Sequence, residues 1–295
     1  MVGSVALDTV ETPHGSVRDA LGGSAVYFSV AARLLSPVSL VGVVGNDFPK
    51  EHLDMLTQLG IDTKGLQVKN GKTFRWWGRY SEDMNDRETV EVELNVFGDF
   101  QPEIPKEYTG AEFVFLANGS PVTQATVLDQ IGAPKFTVAD TMDLWIKTTR
   151  EELLELMARL DALILNDSEV RLLTGKTNTI AAARDVLKMG PRMVIVKKGE
   201  HGAFLMSDDD LFSIPAFPCE LVYDPTGAGD SFAGGMMGCL AKENSASRES
   251  LRRGLAYGTV MASFGVEQFG PARFLDLTVE DVDRRLSEFR GMLSF

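Results

Sequence analysis

Apolar residues along this chain fall in short runs, and the spacing of those runs changes character twice. Val2 to Leu7 is apolar, and the chain turns polar from Asp8 to Gly15. After the pair Gly22–Gly23, residues Ser24 to Leu35 carry a helix-like pattern that Ser36–Pro37 stops. Val38 to Val44 is a β-rich run of the buried kind, and Pro49 to Leu59 reads as a helix closed by Gly60. From Leu66 to about Phe97 the pattern switches to alternation. Phe74 to Tyr80 and Thr89 to Leu94 alternate polar and apolar residues, with Ser81 to Asp86 between them as a turn. That predicts an antiparallel hairpin with one solvated face, in a small sheet apart from the main body.

Beyond Gln101 the pattern repeats. Apolar runs at Glu112–Leu116, Lys135–Ala139, Ala162–Leu165 and Met193–Val196 are separated by helix-like segments over roughly 122–132, 148–160 and 177–190. Strand alternating with helix predicts an α/β fold with a doubly wound, mostly parallel sheet flanked by helices. Ala203–Met206 and Leu211–Ile214 read as one hairpin at the sheet edge, and helices are expected over about 230–242, 249–265 and from Thr278 onward. The expectation is a single α/β domain over 1–295 carrying a small antiparallel β lid, drawn from roughly 8–20 and 66–97.

Composition narrows the function classes. Lys and Arg total 29 against 42 Asp and Glu, a formal charge of −13. The basic residues are scattered, so the stripe that a nucleic-acid binder needs is missing and no nucleic-acid partner is expected. Two cysteines, Cys219 and Cys239, make neither a disulfide framework nor a zinc site, and a cytoplasmic location is expected. No apolar stretch approaches the roughly 18 residues of a membrane span, so no membrane partner is expected either.

The segment Asp224–Pro225–Thr226–Gly227–Ala228–Gly229–Asp230–Ser231–Phe232–Ala233–Gly234–Gly235 carries the chemistry. Gly227 and Gly229 allow close backbone approach, and a helix-compatible run follows to Lys242. A helix start presents unpaired amides and the positive end of a dipole, which suit a phosphate. Asp230 at such a start also reads as a plain N-cap. A Walker loop is excluded because Gly235 follows Gly234 where Lys is needed. A dinucleotide fingerprint from Gly227 is excluded by Phe232.

The segment resembles the C-terminal signature of the ribokinase-like (PfkB) carbohydrate kinase family. The resemblance implies that the amides of Gly227, Ala228 and Gly229 form an anion hole for a transferred phosphoryl group, and that Asp230 is the catalytic base. Thr226 falls with the nucleotide-binding part of the signature. The implied activity is ATP- and magnesium-dependent transfer to a primary hydroxyl of a sugar or sugar-containing molecule. A nucleoside kinase is the alternative, and a non-catalytic nucleotide-binding sensor of the same fold the more distant one. Such chemistry needs alignment and charge neutralisation more than covalent help.

Other segments fall in the order that the resemblance requires. Gly22–Gly23 before a helix resembles the family's substrate-binding signature, and Asp8 matches an aspartate that binds substrate hydroxyls. Tyr27 stands where the family often has a sugar-contacting Asn. Asn166 and Glu169, after the strand Ala162–Leu165, resemble an Asn-x-x-Glu motif that organises hydrated magnesium, or else they cap the following helix. Lys197, Gly199 and Gly202 resemble the nucleotide-binding Thr-x-Gly-x-x-Gly, with Lys197 in place of Thr, either adding charge against ATP phosphates or solvated at a strand end. Asp140 and Asp143 depart from the frequent Asp-x-Asn-x-Arg, and Asp224 and Thr226 match positions that hold a monovalent cation in some relatives. The family's lid excludes water and often forms a homodimer contact. Trp76 and Trp77 point to opposite faces of one strand; they serve self-association, cover the sheet's own apolar side, or one of them covers a substrate base.

Overall fold

Strands form where the sequence alternates or runs apolar, and helices where the apolar period is near 3.6. The computed structural model describes residues 1–85 and 87–294; Asp86, the last residue of the expected turn, lies outside them. In chain order the strands and helices begin with β1 (Ala6–Thr12), β2 (Gly15–Gly22), α1 (Ser24–Ala32), β3 (Ser39–Gly45), α2 (Lys50–Gln58), β4 (Asp62–Lys69), β5 (Phe74–Tyr80) and β6 (Arg87–Glu93). They continue with β7 (Phe113–Leu116), α3 (Pro121–Gln130), β8 (Phe136–Asp140), α4 (Asp143–Thr148), α5 (Arg150–Met157), β9 (Ala162–Asn166), α6 (Asp167–Thr174), α7 (Thr179–Leu187) and β10 (Met193–Lys197). The hairpin β11 (Ala203–Met206) and β12 (Leu211–Ile214) is followed by α8 (Ala228–Glu243), α9 (Arg248–Gly265) and α10 (Val279–Met292). Two compact units result: Met1 with Gly3–Phe100 and Phe217–Phe295, and Val2 with Gln101–Ala216.

The first unit holds a four-stranded sheet in the order β2-β1-β5-β6 and a separate parallel pair, β3 with β4. The hairpin Phe74–Tyr80 with Arg87–Glu93 forms as expected, but the sheet around it is mixed, because β1 runs parallel to β5. The polar stretch from Asp8, expected in the small β sheet, is strand and pairs antiparallel with β2 from Ala6↔Gly22 to Thr12↔Gly15. Leu66 to Lys69, expected in the lid, belong instead to β4 beside β3. Cross-strand pairing decides both differences, since strand formation depends more on neighbours than on local preference.

Helix α1 is apolar on every side and all nine of its residues are buried. Helix α8 is buried from Ser231 to Leu240 and packs against both α1 and α9. That packing is tighter than side chains permit. A Cβ on Gly234 would overlap the carbonyl oxygen of Phe28, and one on Gly238 would come within 3.1 Å of the Ala32 carbonyl. On the α9 side, a Cβ on Gly235 would lie 2.7 Å from the Tyr257 carbonyl, and one on Gly258 would lie 2.6 Å from that of Phe232. These four glycines let three backbones approach closely and set the depth at which α8 begins.

The second unit is a six-stranded sheet in the order β12-β11-β10-β9-β8-β7, parallel from β7 to β10, with the β11–β12 hairpin antiparallel at the edge. Its central strands are buried along most of their length, as parallel strands covered on both faces must be. The helix expected over 148–160 is α5, and α4 precedes it as a separate helix, the two parted at Thr149, whose φ of −137° and ψ of 47° are not helical. Among the described residues no helix is long and apolar enough to cross a membrane.

Because the obstacle at Gly234 is backbone rather than a movable side chain, Gly234→Ala is expected to lower stability by about 1–3 kcal/mol, read as a lower urea midpoint with an unchanged slope.

Candidate active site

Asp8 projects from β1 into the start of α1, and only 4 % of it is exposed. It fits because Gly22 has no side chain: a Cβ there would overlap Asp8 Oδ2. Gly23, the residue before α1, adopts φ 91° and ψ 151°, and its amide donates to Asp8 Oδ2 at 3.3 Å. The joint is locked by Ser4 and Ser24, whose amides donate to each other's hydroxyls at 3.1 and 3.0 Å. Burial pushes the Asp8 carboxyl up to about 7; the Gly23 amide opposes this, while the charges of Asp224 and Asp230 add to it.

The glycine-rich turn is built around a second buried aspartate. Asp224 Oδ1 accepts from the Thr226 amide at 2.8 Å and Oδ2 from the Gly270 amide at 2.9 Å. Burial raises its pKa, against the pull of these hydrogen bonds. Both carboxylate oxygens thus brace the turn. Thr226 Oγ1 donates to Tyr80 Oη at 3.1 Å, which ties the turn to β5. Gly227 follows with φ 73° and ψ 3°, a left-handed residue directly before α8. A Cβ on Gly227 would overlap the ring of Tyr27, so this glycine is demanded by both conformation and space.

Gly227 is therefore the N-cap residue, and Asp230 is the third residue of α8, with no side-chain hydrogen bond capping the helix. The N-cap role open to Asp230 in the sequence is not the one it takes. Gly227 to Asp230 are partly exposed, whereas the helix is buried from Ser231 onward. The first-turn amides and the positive end of a sixteen-residue helix are thus presented beside a carboxylate.

Tyr27 lies elsewhere than its expected substrate-binding position implies. It is 2 % exposed and packed under Gly227, because α1 is buried on all sides. Among the described residues its hydroxyl has no hydrogen-bond partner, and burial, then the charges of Asp224 and Asp8, push its pKa well up.

The remaining candidates sit in the second unit, at the carboxyl ends of parallel strands, where open α/β sheets bind ligands. Asn166 and Glu169 form a capping box on α6: Asn166 Oδ1 accepts from the Glu169 amide at 2.8 Å, and Glu169 Oε2 from the Asn166 amide at 2.7 Å. The helix-capping alternative is realised. Among the described residues no cluster of three or more His, Cys, Asp or Glu is arranged for a metal. A capping pair still suits a magnesium ion held through its own waters, since that ion takes few direct protein ligands.

Lys197 is not solvated at its strand end. Its Nζ lies 2.9 Å from Asp140 Oδ2, and the two side chains are 18 % and 8 % exposed. The pair links the ends of β10 and β8 across β9, and Asp140 Oδ1 also accepts from the Thr141 amide at 2.9 Å. Gly199 and Gly202 have φ of 55° and 82°, and the Lys198 amide closes the loop onto the Gly202 carbonyl at 2.8 Å. Asp143 does not cap α4; it pairs with Lys147 at 2.7 Å.

The first unit thus brings together Asp8, Gly22, Gly23, Tyr27 and Thr226 to Asp230, and the second holds Asn166, Glu169, Lys197, Gly199 and Gly202. Sequence reasoning missed Tyr80 as the anchor of Thr226 and the Asp140–Lys197 pair. The alternation of β5 carries a signal for Tyr80, two residues past Gly78 on one face. No local pattern signals the ion pair, whose partners lie 57 residues apart.

The matches to known proteins agree with this arrangement. The family model of the pfkB family carbohydrate kinases matches residues 4–276. The cytidine kinase of Thermococcus kodakarensis is 32% identical over 244 residues, covering 80% of this chain and 86% of that one. The nucleoside kinase of Methanocaldococcus jannaschii, an archaeal member of the ribokinase family, superposes with a TM-score of 0.78 at 24% identity over 97% of both chains. The ribokinase of Giardia lamblia superposes with a TM-score of 0.82 at 19% identity over 98% of both. The chain belongs to the pfkB family of carbohydrate kinases. It is an ATP-binding phosphotransferase whose acceptor is an alcohol of a sugar or of a sugar-containing molecule such as a nucleoside.

Because the folded chain keeps a proton on Asp8 up to about pH 7 that the unfolded chain releases near 3.8, stability is expected to fall as pH rises between those values. Asp8→Asn removes that contribution, and its urea midpoint is expected to fall less than the parent's between pH 5 and pH 8.

Proposed function

We propose that the chain is a nucleoside kinase that uses ATP and magnesium to phosphorylate the primary hydroxyl of the acceptor's ribose. The observation that carries this reading is the start of α8, where the amides of Gly227 to Gly229 and the carboxylate of Asp230 share one partly exposed helical turn. Asp230 takes the proton from the acceptor hydroxyl as general base. The amides stabilise the charge that spreads over the transferring phosphoryl group without having to reorganise. Asp8, with Gly22 and Gly23 allowing close approach, accepts hydrogen bonds from the ribose hydroxyls.

Asn166, Glu169, Lys197, Gly199 and Gly202 are the residues assigned to nucleotide and magnesium. Glu169 and Asn166 would hold the hydration shell of magnesium, which in turn neutralises phosphate charge. Gly199 and Gly202 let the loop after β10 approach the nucleotide, and Lys197 supplies positive charge from its place beside Asp140. The choice of a nucleoside over a free sugar rests on the similarity to a cytidine kinase. Both cysteines are free, in keeping with a reducing cytoplasm. The edge strand β6, with Val90, Val92 and Leu94 exposed on or beside it, is the surface assigned to a homodimer through the lid, and sedimentation should return twice the mass of one chain.

Asp230→Asn is expected to lower kcat about 10²- to 10⁴-fold while the Kd for ATP stays within about two-fold. Near-parental turnover in that variant removes Asp230 as the base. ADP release measured against a panel of nucleosides and free pentoses and hexoses should show the highest kcat/KM for a nucleoside.

A further inference from the structure

We propose that Trp76 is the platform on which the acceptor's base stacks, and therefore a specificity-determining residue; this deepens the nucleoside kinase reading and rests on it. Two tryptophans lie side by side in β5, and the structure separates them. Trp77 turns away from the site: its Nε1 donates to Glu11 Oε1 at 3.1 Å, and Glu11 Oε2 is also held by Arg79 Nε at 2.8 Å. Trp76 turns the other way. It is the parallel partner of Asp8, so the two side chains leave the same face of the sheet from adjacent strands.

That face is the one turned to the glycine-rich turn. Tyr80, two alternations further along β5, reaches Thr226 Oγ1 with its hydroxyl. Asp8, beside Trp76, is within electrostatic reach of Asp224 and Asp230. Trp76 therefore shares one face with the carboxylate assigned to the ribose, directly beside it, and with the tyrosine that anchors the anion-binding turn. Neighbouring strands lie about 4.8 Å apart, so a ribose held by Asp8 puts its attached base over the next strand, where the indole is.

The indole is also laid down as a platform would be. Gly78 follows Trp76 on the same face, and a Cβ there would overlap the indole's six-membered ring, so the ring lies across the glycine. Its Nε1 is 3.4 Å from Thr89 Oγ1 on β6, which sets its orientation in the sheet. A planar group already lies over it: the Arg87 guanidinium carbon is 5.4 Å from the ring centroid. Arg87 is exposed and lies on β6 opposite Tyr80. A flat base entering over the indole takes the place of that guanidinium, and stacking of this kind tolerates any base because every base has a π face.

Three measurements test this. Steady-state KM is taken for cytidine, uridine, adenosine and inosine with the parent, Trp76→Ala and Trp76→Phe, and KM for ATP alongside. Trp76→Ala is expected to raise the nucleoside KM about 10- to 100-fold with KM for ATP within two-fold, and Trp76→Phe to restore most of the loss. Tryptophan fluorescence gives a readout independent of turnover. The nucleoside should quench it in the parent and in Trp77→Phe but not in Trp76→Phe, and free ribose should leave it unchanged. If the parent phosphorylates nucleosides while Trp76→Ala keeps their KM, or the quench survives in Trp76→Phe, the platform is overturned and the nucleoside reading stands. If the parent phosphorylates free sugars and no nucleoside, both fall together.

Discussion

The close approach of α1 and α8 is the constraint on which the rest of the first unit depends. Gly234 brings the two helix backbones nearer than any Cβ would allow, and Gly238 keeps them at tight contact one turn on. Each helix begins at a glycine with positive φ, Gly23 for α1 and Gly227 for α8. Tyr27, on the first turn of α1, fills the space beneath Gly227 and so transmits the position of one helix start to the other. Asp8 and Asp230 owe their proximity to this contact, because one is held at the start of α1 and the other stands in the first turn of α8.

Electrostatics follows from that geometry. Three carboxylates, Asp8, Asp224 and Asp230, lie within reach of one another in a chain that already carries a formal charge of −13. Backbone amides offset that repulsion. Gly23, Thr226 and Gly270 each donate an amide to a carboxylate oxygen of Asp8 or Asp224. In the proposed function, the amides at the start of α8 would receive the phosphoryl group with oriented dipoles in place of basic side chains. An excess of acidic groups favours solubility.

Much of this was legible in the sequence, for identifiable reasons. The βα repeat of the second unit showed plainly because each strand is a short, mostly apolar run separated from the next by a helical segment. The Gly227 to Asp230 turn showed because its glycines and following helix form a dense local pattern. What escaped depended on distant partners. Asp8 to Thr12 showed only as a polar stretch of the β lid, and its place as the strand between β2 and β5 comes from pairing on either side. Leu66 to Lys69 resembled the hairpin but pairs with β3. Tyr27 looked like a ligand contact and is buried under a glycine two hundred residues away in the chain. Lys197 looked free to meet phosphate and is paired with Asp140.

The central claim is that the acceptor is held where Gly22 gives Asp8 room at the start of α1. Isothermal titration of Gly22→Ala with the best nucleoside acceptor, and separately with ATP and magnesium, tests it most directly. The added methyl group overlaps Asp8 Oδ2, so nucleoside binding should be lost while ATP binding persists and reports an intact fold. Nucleoside binding at the parental Kd in that variant would contradict the account.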